Sequence, residues 1–310
     1  MKLVVLAIAL VSELAGQATL TPRPKPAPKE EKLPEANIRV SSTLILVPVT
    51  VNDPLNRPVS GLEKENFRVF EDKVEQPIAT FAMDDEPVAV GLVFDTSGSM
   101  GEKLKRSRMA AREFFRIGGP DDEYFLVEFD DRPRLQVPLT SDTGAIESQL
   151  LFSKSHGSTA LLDAILLALQ EMRHSKKNKK ALLIISDGGD NHSRYTPAEV
   201  NKVVVESDVL IYSIGVFGDG STPEEAGGPG LLSQISERTG GRLFPAVASE
   251  LPNIAKMIGI ELRNRYVIGY APHSQVRDGK YHRIEVKLVP PRGLPKLSAH
   301  WRTGYNAPIE

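Results

Sequence analysis

One stretch decides the fold of this chain: Val88-Ala-Val-Gly-Leu-Val-Phe-Asp-Thr-Ser-Gly-Ser-Met100. Its first seven residues carry no polar side chain, which is typical of a central strand buried on both faces of a parallel sheet. The stretch then changes abruptly to Asp95, Ser97 and Ser99, which we expect on the turn that leads into a helix. Because open α/β sheets bind ligands at the carboxyl ends of their strands, the pattern predicts a binding site there.

The chain on the C-terminal side of this stretch alternates between strand and helix patterns. Strands are predicted at residues 122–129, 134–139, 181–186, 209–216 and 242–244, and helices at residues 102–117, 142–151, 160–172, 197–206, 231–238 and 251–263. The strand at 134–139 is expected at an antiparallel edge. Asp142 and Thr196 are the expected caps of their helices, and Leu104, Met109 and Phe114 the expected buried face of the first helix. This order predicts an α/β fold with a doubly wound, mostly parallel, Rossmann-like sheet.

Both flanks of the α/β region have β character. Residues 38–80 and 265–302 contain short alternating segments separated by turn residues, and each flank is too small to be stable alone. We therefore expect the flanks to pair into one small β-sandwich. The predicted organisation is a signal peptide at 1–18, a proline-rich linker at 19–36, a β segment at 37–86, the α/β domain at 87–261 and a β tail at 262–310.

The N-terminus predicts export. Met1-Lys2 precedes a short apolar run, and Ala15-Gly16-Gln17-Ala18 offers small residues for cleavage, which is the pattern of a secretory signal peptide. The expected location is secreted, periplasmic or in the cell envelope. No later run is long enough to cross a bilayer, so we expect no membrane span in the mature chain.

Composition excludes several classes of function. The formal charge of −2 gives no general reason to expect a nucleic-acid partner. The chain has no cysteine, which excludes disulfides, thiolate metal sites and a cysteine nucleophile. The basic run at 173–180 is expected to be a solvated loop.

Two more positions belong with Asp95, Ser97 and Ser99. Thr159 lies where a loop enters a helix, and Asp187 follows the buried strand at 181–186. Two carboxylates and three hydroxyls at one edge of a sheet form an all-oxygen site that suits Mg²⁺, with Mn²⁺ or Ca²⁺ less favoured.

Other interpretations of these residues stay open. Ser97 and Ser99 can instead be simple helix caps, and Asp187 can be an Asx-turn residue. Asp190 can replace Asp187 as a ligand, and Asp163 fits a packing or capping role better than a ligand role. A metal-assisted hydrolase would use His156 or His192 as its base. Phosphoaspartyl phosphatases would need an acid where Ser97 stands, and aspartic proteases would need a second copy of the motif.

This set resembles the metal-ion-dependent adhesion site of von Willebrand factor A domains. That motif is Asp-x-Ser-x-Ser with a distant Thr and a distant Asp, and it carries over to all five positions given above. The resemblance covers residues 87–261 and implies a non-enzymatic protein that holds a divalent cation. It also implies a protein partner whose Asp or Glu completes the coordination. A purely structural metal in a scaffold is the remaining alternative.

The arrangement of the whole chain resembles the acidobacterial-type von Willebrand factor A-related family. The features that carry this likeness are the signal, the linker, Pro58-Val59-Ser60-Gly61-Leu62 in the first β segment and Thr303-Gly304-Tyr305 in the tail. The resemblance implies the fold and the metal, and leaves the partner unnamed.

Overall fold

The computed structural model describes residues 44–217, 223–247, 249–272 and 278–308. The strands are β1 (Ile45–Asn52), β2 (Phe67–Glu71), β3 (Val74–Gln76), β4 (Ile78–Asp84), β5 (Val88–Asp95), β6 (Glu123–Phe129), β7 (Pro133–Thr140), β8 (Lys179–Ser186), β9 (Leu210–Gly215), β10 (Leu243–Pro245), β11 (Arg265–Tyr270), β12 (Tyr281–Leu288), β13 (Ser298–Trp301) and β14 (Gly304–Asn306). The α-helices are α1 (Leu104–Phe115), α2 (Thr143–Phe152), α3 (Leu161–Met172), α4 (Pro197–Glu206), α5 (Pro223–Thr239) and α6 (Leu251–Arg263).

The central sheet has the strand order β10-β9-β8-β5-β6-β7. Neighbouring strands are parallel except β7, which runs antiparallel to β6 at the edge, as the sequence predicts. All eight residues of β5 are buried. The position of β5 between β8 and β6 explains its unbroken apolar run, because both of its faces are covered.

Helices cover both faces of this sheet. Val90, Leu92 and Phe94 of β5 belong to a hydrophobic cluster with residues of α1 and α6, whereas Ala89 and Val93 belong to a cluster with residues of α3, α4 and α5. The alternation follows from the two-residue period of a strand. These layers confirm the predicted doubly wound α/β class.

The two flanks form a β-sandwich. One antiparallel sheet has the order β13-β1-β11-β4, and the other has the order β14-β12-β2-β3. Val49 and Tyr266 from the first sheet share a buried cluster with Val69 and Ile284 from the second. The predicted sandwich is confirmed, whereas the domain boundaries at 37–86, 87–261 and 262–310 stay predictions.

Several local predictions are confirmed. Asp142 caps α2 by accepting from the Gly144 amide at 2.9 Å. Thr196 caps α4 in a reciprocal arrangement with Glu199.

The predicted signal peptide at 1–18 and linker at 19–36 lie outside the described residues. No helix within the described ranges is long and apolar enough to cross a membrane.

Other local predictions are wrong. Met109 is 44% exposed, because it lies about 140° around the helix from Leu104. Helix α5 begins at Pro223 rather than residue 231, although Gly227, Gly228 and Pro229 are poor helix formers. Lys179, which belongs to the basic run expected to be solvated, is a buried residue of β8.

Candidate metal site

The ends of two neighbouring strands bring the candidate carboxylates together. Asp95 is the last residue of β5, and Asp187 follows β8 directly. The two strands are parallel, with Phe94 opposite Ile185, so both carboxylates lie at the same edge of the sheet. The Ser186 hydroxyl donates to Asp95 Oδ2 at 2.5 Å, which ties the two strand ends to each other.

The loop after β5 places the two serine hydroxyls beside Asp95. The Ser97 amide donates to Asp95 Oδ1 at 2.8 Å, so the chain turns back over the carboxylate. The hydroxyl oxygens of Ser97 and Ser99 lie 3.1 Å apart. Ser97 is buried and Ser99 is exposed, so this pair leads from the sheet edge outward.

The segment that carries Thr159 connects both loops. The Gly98 amide donates to the Gly157 carbonyl at 3.1 Å. The Thr159 carbonyl accepts from the amides of Asn191 and His192, at 3.1 and 3.0 Å. The five candidate ligands therefore lie on three segments that are hydrogen-bonded to one another at one edge of the sheet.

Burial and mutual repulsion disfavour negative charge on the two carboxylates. Asp95 is fully buried. Burial, together with the charge of Asp187, raises the pKa of Asp95 to about 7, although hydrogen bonds from Ser186 and Ser97 oppose the shift. Two negative charges in a dry position favour a cation between them.

Lys103 is a member of this site that the motif does not reveal. It ends the 3-10 helix Gly98–Lys103, and its Nζ donates to Asp187 Oδ2 at 3.3 Å. The other oxygen of Asp187 accepts from the Gly189 amide at 3.3 Å. A lysine at the start of a helix gives no signal of such a contact, because its partner lies 84 residues away in the chain.

The other acids that the sequence suggests have structural partners. Asp190 Oδ1 accepts from the Leu161 amide at 3.0 Å and from the Ser193 hydroxyl at 2.6 Å, so Asp190 caps the start of α3. Asp163 accepts from the amide and Nε of Arg194, at 3.0 and 2.9 Å. These contacts suit capping and packing roles.

The two histidines near the site are poorly placed to act as a buried base. His156 has a side chain that is 62% exposed, and its Nδ1 lies 3.2 Å from Asp130 Oδ2. Burial raises the pKa of Asp130, but the hydrogen bonds from Arg134 and from the Arg132 amide, together with the charge of Arg134, outweigh burial, so the pKa is lowered. His192 is exposed. An exposed imidazole is open to water, whereas a general base must be aimed at a bound substrate.

The donor set fits a hard cation. Within the described residues there is no group of three or more His, Cys, Asp or Glu side chains placed to hold a metal. The candidate site instead combines two carboxylates with three neutral hydroxyls, which suits Mg²⁺ better than a metal that prefers nitrogen or sulfur.

Comparison with known proteins finds similarity to one domain family in the α/β region. Residues 90–189 match the family model of the von Willebrand factor type A domain. A relative in Borreliella burgdorferi, an uncharacterized protein, is 28% identical over 180 residues. Inter-alpha-trypsin inhibitor heavy chain H4 of Bos taurus is 25% identical over 191 residues. The matches cover 49% and 57% of this chain, but only 52% of the first relative and 20% of the second.

A solved structure shares the fold. The von Willebrand factor type A structure from Catenulispora acidiphila aligns with a TM-score of 0.52 at 13% identity. The alignment covers 87% of this chain and 75% of that one. Residues 90–189 are therefore similar to the von Willebrand factor type A domain, and the chain shares the fold of that solved structure.

Proposed function

We propose that this chain is an exported, non-enzymatic protein that binds another protein through a divalent cation. Asp95, Ser97, Ser99, Thr159 and Asp187 would hold the cation, and an Asp or Glu of the partner would complete its coordination. The observation that carries the proposal is the meeting of two buried carboxylates and the serine pair at the carboxyl edge of the sheet.

The chemistry of these ligands explains why such a site would bind a partner. Hydroxyls are neutral, so only Asp95 and Asp187 offset the charge of a dication. Mg²⁺ prefers six oxygen ligands and usually keeps some as water. When bound, it would supply a coordination position that is held by water and can be taken by an incoming carboxylate. The protein's own part is to fix the hydroxyls and carboxylates, which the hydrogen bonds to Ser97 and Ser186 do.

The proposal includes export of the chain and its membership of a subfamily of von Willebrand factor A proteins. The sequence at residues 1–18 supports passage through a secretory membrane. Membership of the acidobacterial-type von Willebrand factor A-related family rests on the arrangement of the chain. Neither a hydrolase that uses His156 or His192 nor a purely structural metal is favoured, because the histidines are exposed and the hydroxyl pair reaches the surface.

Partner capture tests the proposal. The immobilised chain is incubated with envelope proteins of its host, in Mg²⁺ or in chelator, and the bound proteins are identified by mass spectrometry. We expect a specific protein that binds the wild type in Mg²⁺ only and that fails to bind Asp187→Asn. Asp85→Asn, which changes an exposed acid, is the matched control and should bind as the wild type does.

The outcome of this experiment separates the three functions. Capture that is equal in Mg²⁺ and chelator contradicts the proposal. Metal-dependent turnover of an ester or phosphoester, lost in His156→Ala or His192→Ala, would instead identify a hydrolase. Metal binding with no metal-dependent partner would identify a scaffold.

A further inference from the structure

Lys103 forms an ion pair with a candidate metal ligand. Its Nζ lies 3.3 Å from Asp187 Oδ2, and the side chains of Lys103 and Asp187 are 20% and 1% exposed. Ion pairs that are shielded from water interact more strongly than pairs on the open surface, where the interaction is weak. This contact therefore offsets the charge of the buried Asp187 carboxylate.

Lys103 is the principal counter-charge of the two carboxylates. In the part of the chain that the structure describes, it is the one Lys, Arg or His that forms an ion pair with Asp95 or Asp187. Asp95 itself accepts hydrogen bonds from neutral groups, among them the Ser186 hydroxyl and the Ser97 amide. Without Lys103 the charge of Asp187 would be buried with no cation beside it.

We propose that Lys103 is a built-in competitor of the divalent cation and sets the cation concentration at which the site fills. This inference rests on the proposed function of the site. An ammonium at Asp187 Oδ2 repels a dication bound to the same carboxylate, so the cation must displace it. The measured association constant is then the intrinsic constant multiplied by the fraction of molecules in which Lys103 is withdrawn.

The position of Lys103 permits this exchange. The residue lies in the 3-10 helix that directly follows Ser97, so it is next to the ligand loop but is not one of the five candidate ligands. Its side chain is flexible and already reaches partly into solvent. The ammonium can therefore move into water without a change in the strands that hold Asp95 and Asp187.

Calorimetric titration of the full chain with Mg²⁺ tests the competition. Lys103→Met keeps the length of the side chain and removes its charge, and we expect it to bind Mg²⁺ roughly tenfold more tightly than the wild type, which corresponds to about 1.4 kcal/mol. Lys105→Met is the matched control, because Lys105 is exposed at the start of α1, two residues after Lys103. It should bind with the affinity of the wild type.

Two measurements show whether a change in affinity arises from the ion pair. Without metal, Lys103→Met should unfold at a lower temperature than Lys105→Met, because only the former leaves the charge of Asp187 unpaired. In the wild type, addition of Mg²⁺ should increase the reductive methylation of the Lys103 amine, followed by peptide mass spectrometry. The reactivity of Lys105 should not change.

The failure of this inference can be distinguished from the failure of the proposed function. If the wild type binds Mg²⁺ and Lys103→Met binds it equally or more weakly, the competition is overturned and the metal site stands. If neither protein binds Mg²⁺, both the metal site and the competition are overturned. If only Lys103→Met binds, the competition is supported in its strongest form.

Discussion

Gly228 shows how a single residue without a side chain brings α5 against the candidate site. A Cβ atom built at this position would lie 2.4 Å from the carbonyl oxygen of Asp187 and 3.0 Å from the carbonyl carbon of Gly188. Such a distance is far below van der Waals contact, and backbone atoms cannot move aside as a flexible side chain can. Only a residue without a Cβ atom lets the N-terminal part of α5 pack this closely against the backbone of Asp187 and Gly188.

Two alanine substitutions in α5 test this role. Gly228→Ala should destabilise the protein by about 1–3 kcal/mol, as overpacking usually does, and should weaken Mg²⁺ binding because it displaces the backbone of Asp187. Gly227→Ala is the matched control, since a Cβ there has no neighbour within 4 Å. The control should be as stable as the wild type or up to about 1 kcal/mol more stable, because alanine favours helix. Denaturant unfolding measures the stability of both variants. An equal change in unfolding free energy for the two would contradict the packing argument.

At the residue scale the sequence indicates the candidate ligands, but it does not indicate the residues that contact them. Asp95, Ser97 and Ser99 are recognisable because a short motif follows a buried strand, and Asp187 because it follows another. Lys103 and Ser186 could not be predicted as their partners, because those contacts depend on how side chains reach across the folded sheet edge.

At the scale of elements, His282 links β12 to the turn between β2 and β3. Its Nδ1 lies 2.8 Å from Asp72 Oδ2 and 4.0 Å from Glu71 Oε1, and its Nε2 lies 3.4 Å from Asp278 Oδ1. Burial lowers the pKa of His282, but the hydrogen bonds to Asp72 and Asp278 outweigh it, so the pKa is raised. The folded sandwich therefore favours the charged imidazole.

This shift predicts a pH dependence of stability. A histidine with a raised pKa contributes stability that is fully present below its unfolded pKa of about 6.5 and is lost as pH rises through the folded value. The loss of unfolding free energy in His282→Gln should therefore be larger at about pH 5.5 than at about pH 9. Urea unfolding at the two pH values measures it. A difference between wild type and variant that does not change with pH would contradict the assigned role.

Elements with local signals could be predicted, and elements that depend on tertiary contacts could not. Asp142 and Thr196 cap their helices as expected, since a cap needs only neighbouring residues. The sequence does not predict the first turns of α5, because the packing of Gly228 against Gly188 overrides a weak helix propensity.

At the scale of the whole molecule, an ion network joins the sandwich to the central sheet. Asp84 of β4 lies 3.1 Å from Lys179 of β8 and 2.6 Å from Arg265 of β11. The side chains of Asp84, Lys179 and Arg265 are 8%, 2% and 5% exposed. Burial raises the pKa of Asp84, but the two cations outweigh it and hold the pKa below its usual value. The sequence predicts a solvated loop at 173–180, because no local signal reveals that Lys179 pairs with Asp84 in the folded protein.

Removal of the shared carboxylate should be costly. Asp84→Ala leaves two buried cations without their partner and should lower the unfolding free energy by about 3–5 kcal/mol. Asp85→Ala, at the exposed neighbouring position, should change it by less than about 0.5 kcal/mol. Chemical denaturation compares the two variants. Similar unfolding free energies for the two variants would show that the ion network does not join the sandwich to the central sheet.

The central claim is that the carboxyl edge of the sheet holds a divalent cation, and thermal unfolding in Mg²⁺ against chelator tests it most directly. With free Mg²⁺ at about 100 times its dissociation constant, binding to the native state adds about 2.7 kcal/mol. For a domain of this size, the unfolding temperature should rise by about 5–11 °C. Asp95→Ala and Asp187→Ala should each lose most of that rise, and His156→Ala should retain it. A rise that is absent from the wild type with Mg²⁺, Mn²⁺ and Ca²⁺, or that persists in both aspartate variants, would contradict the claim.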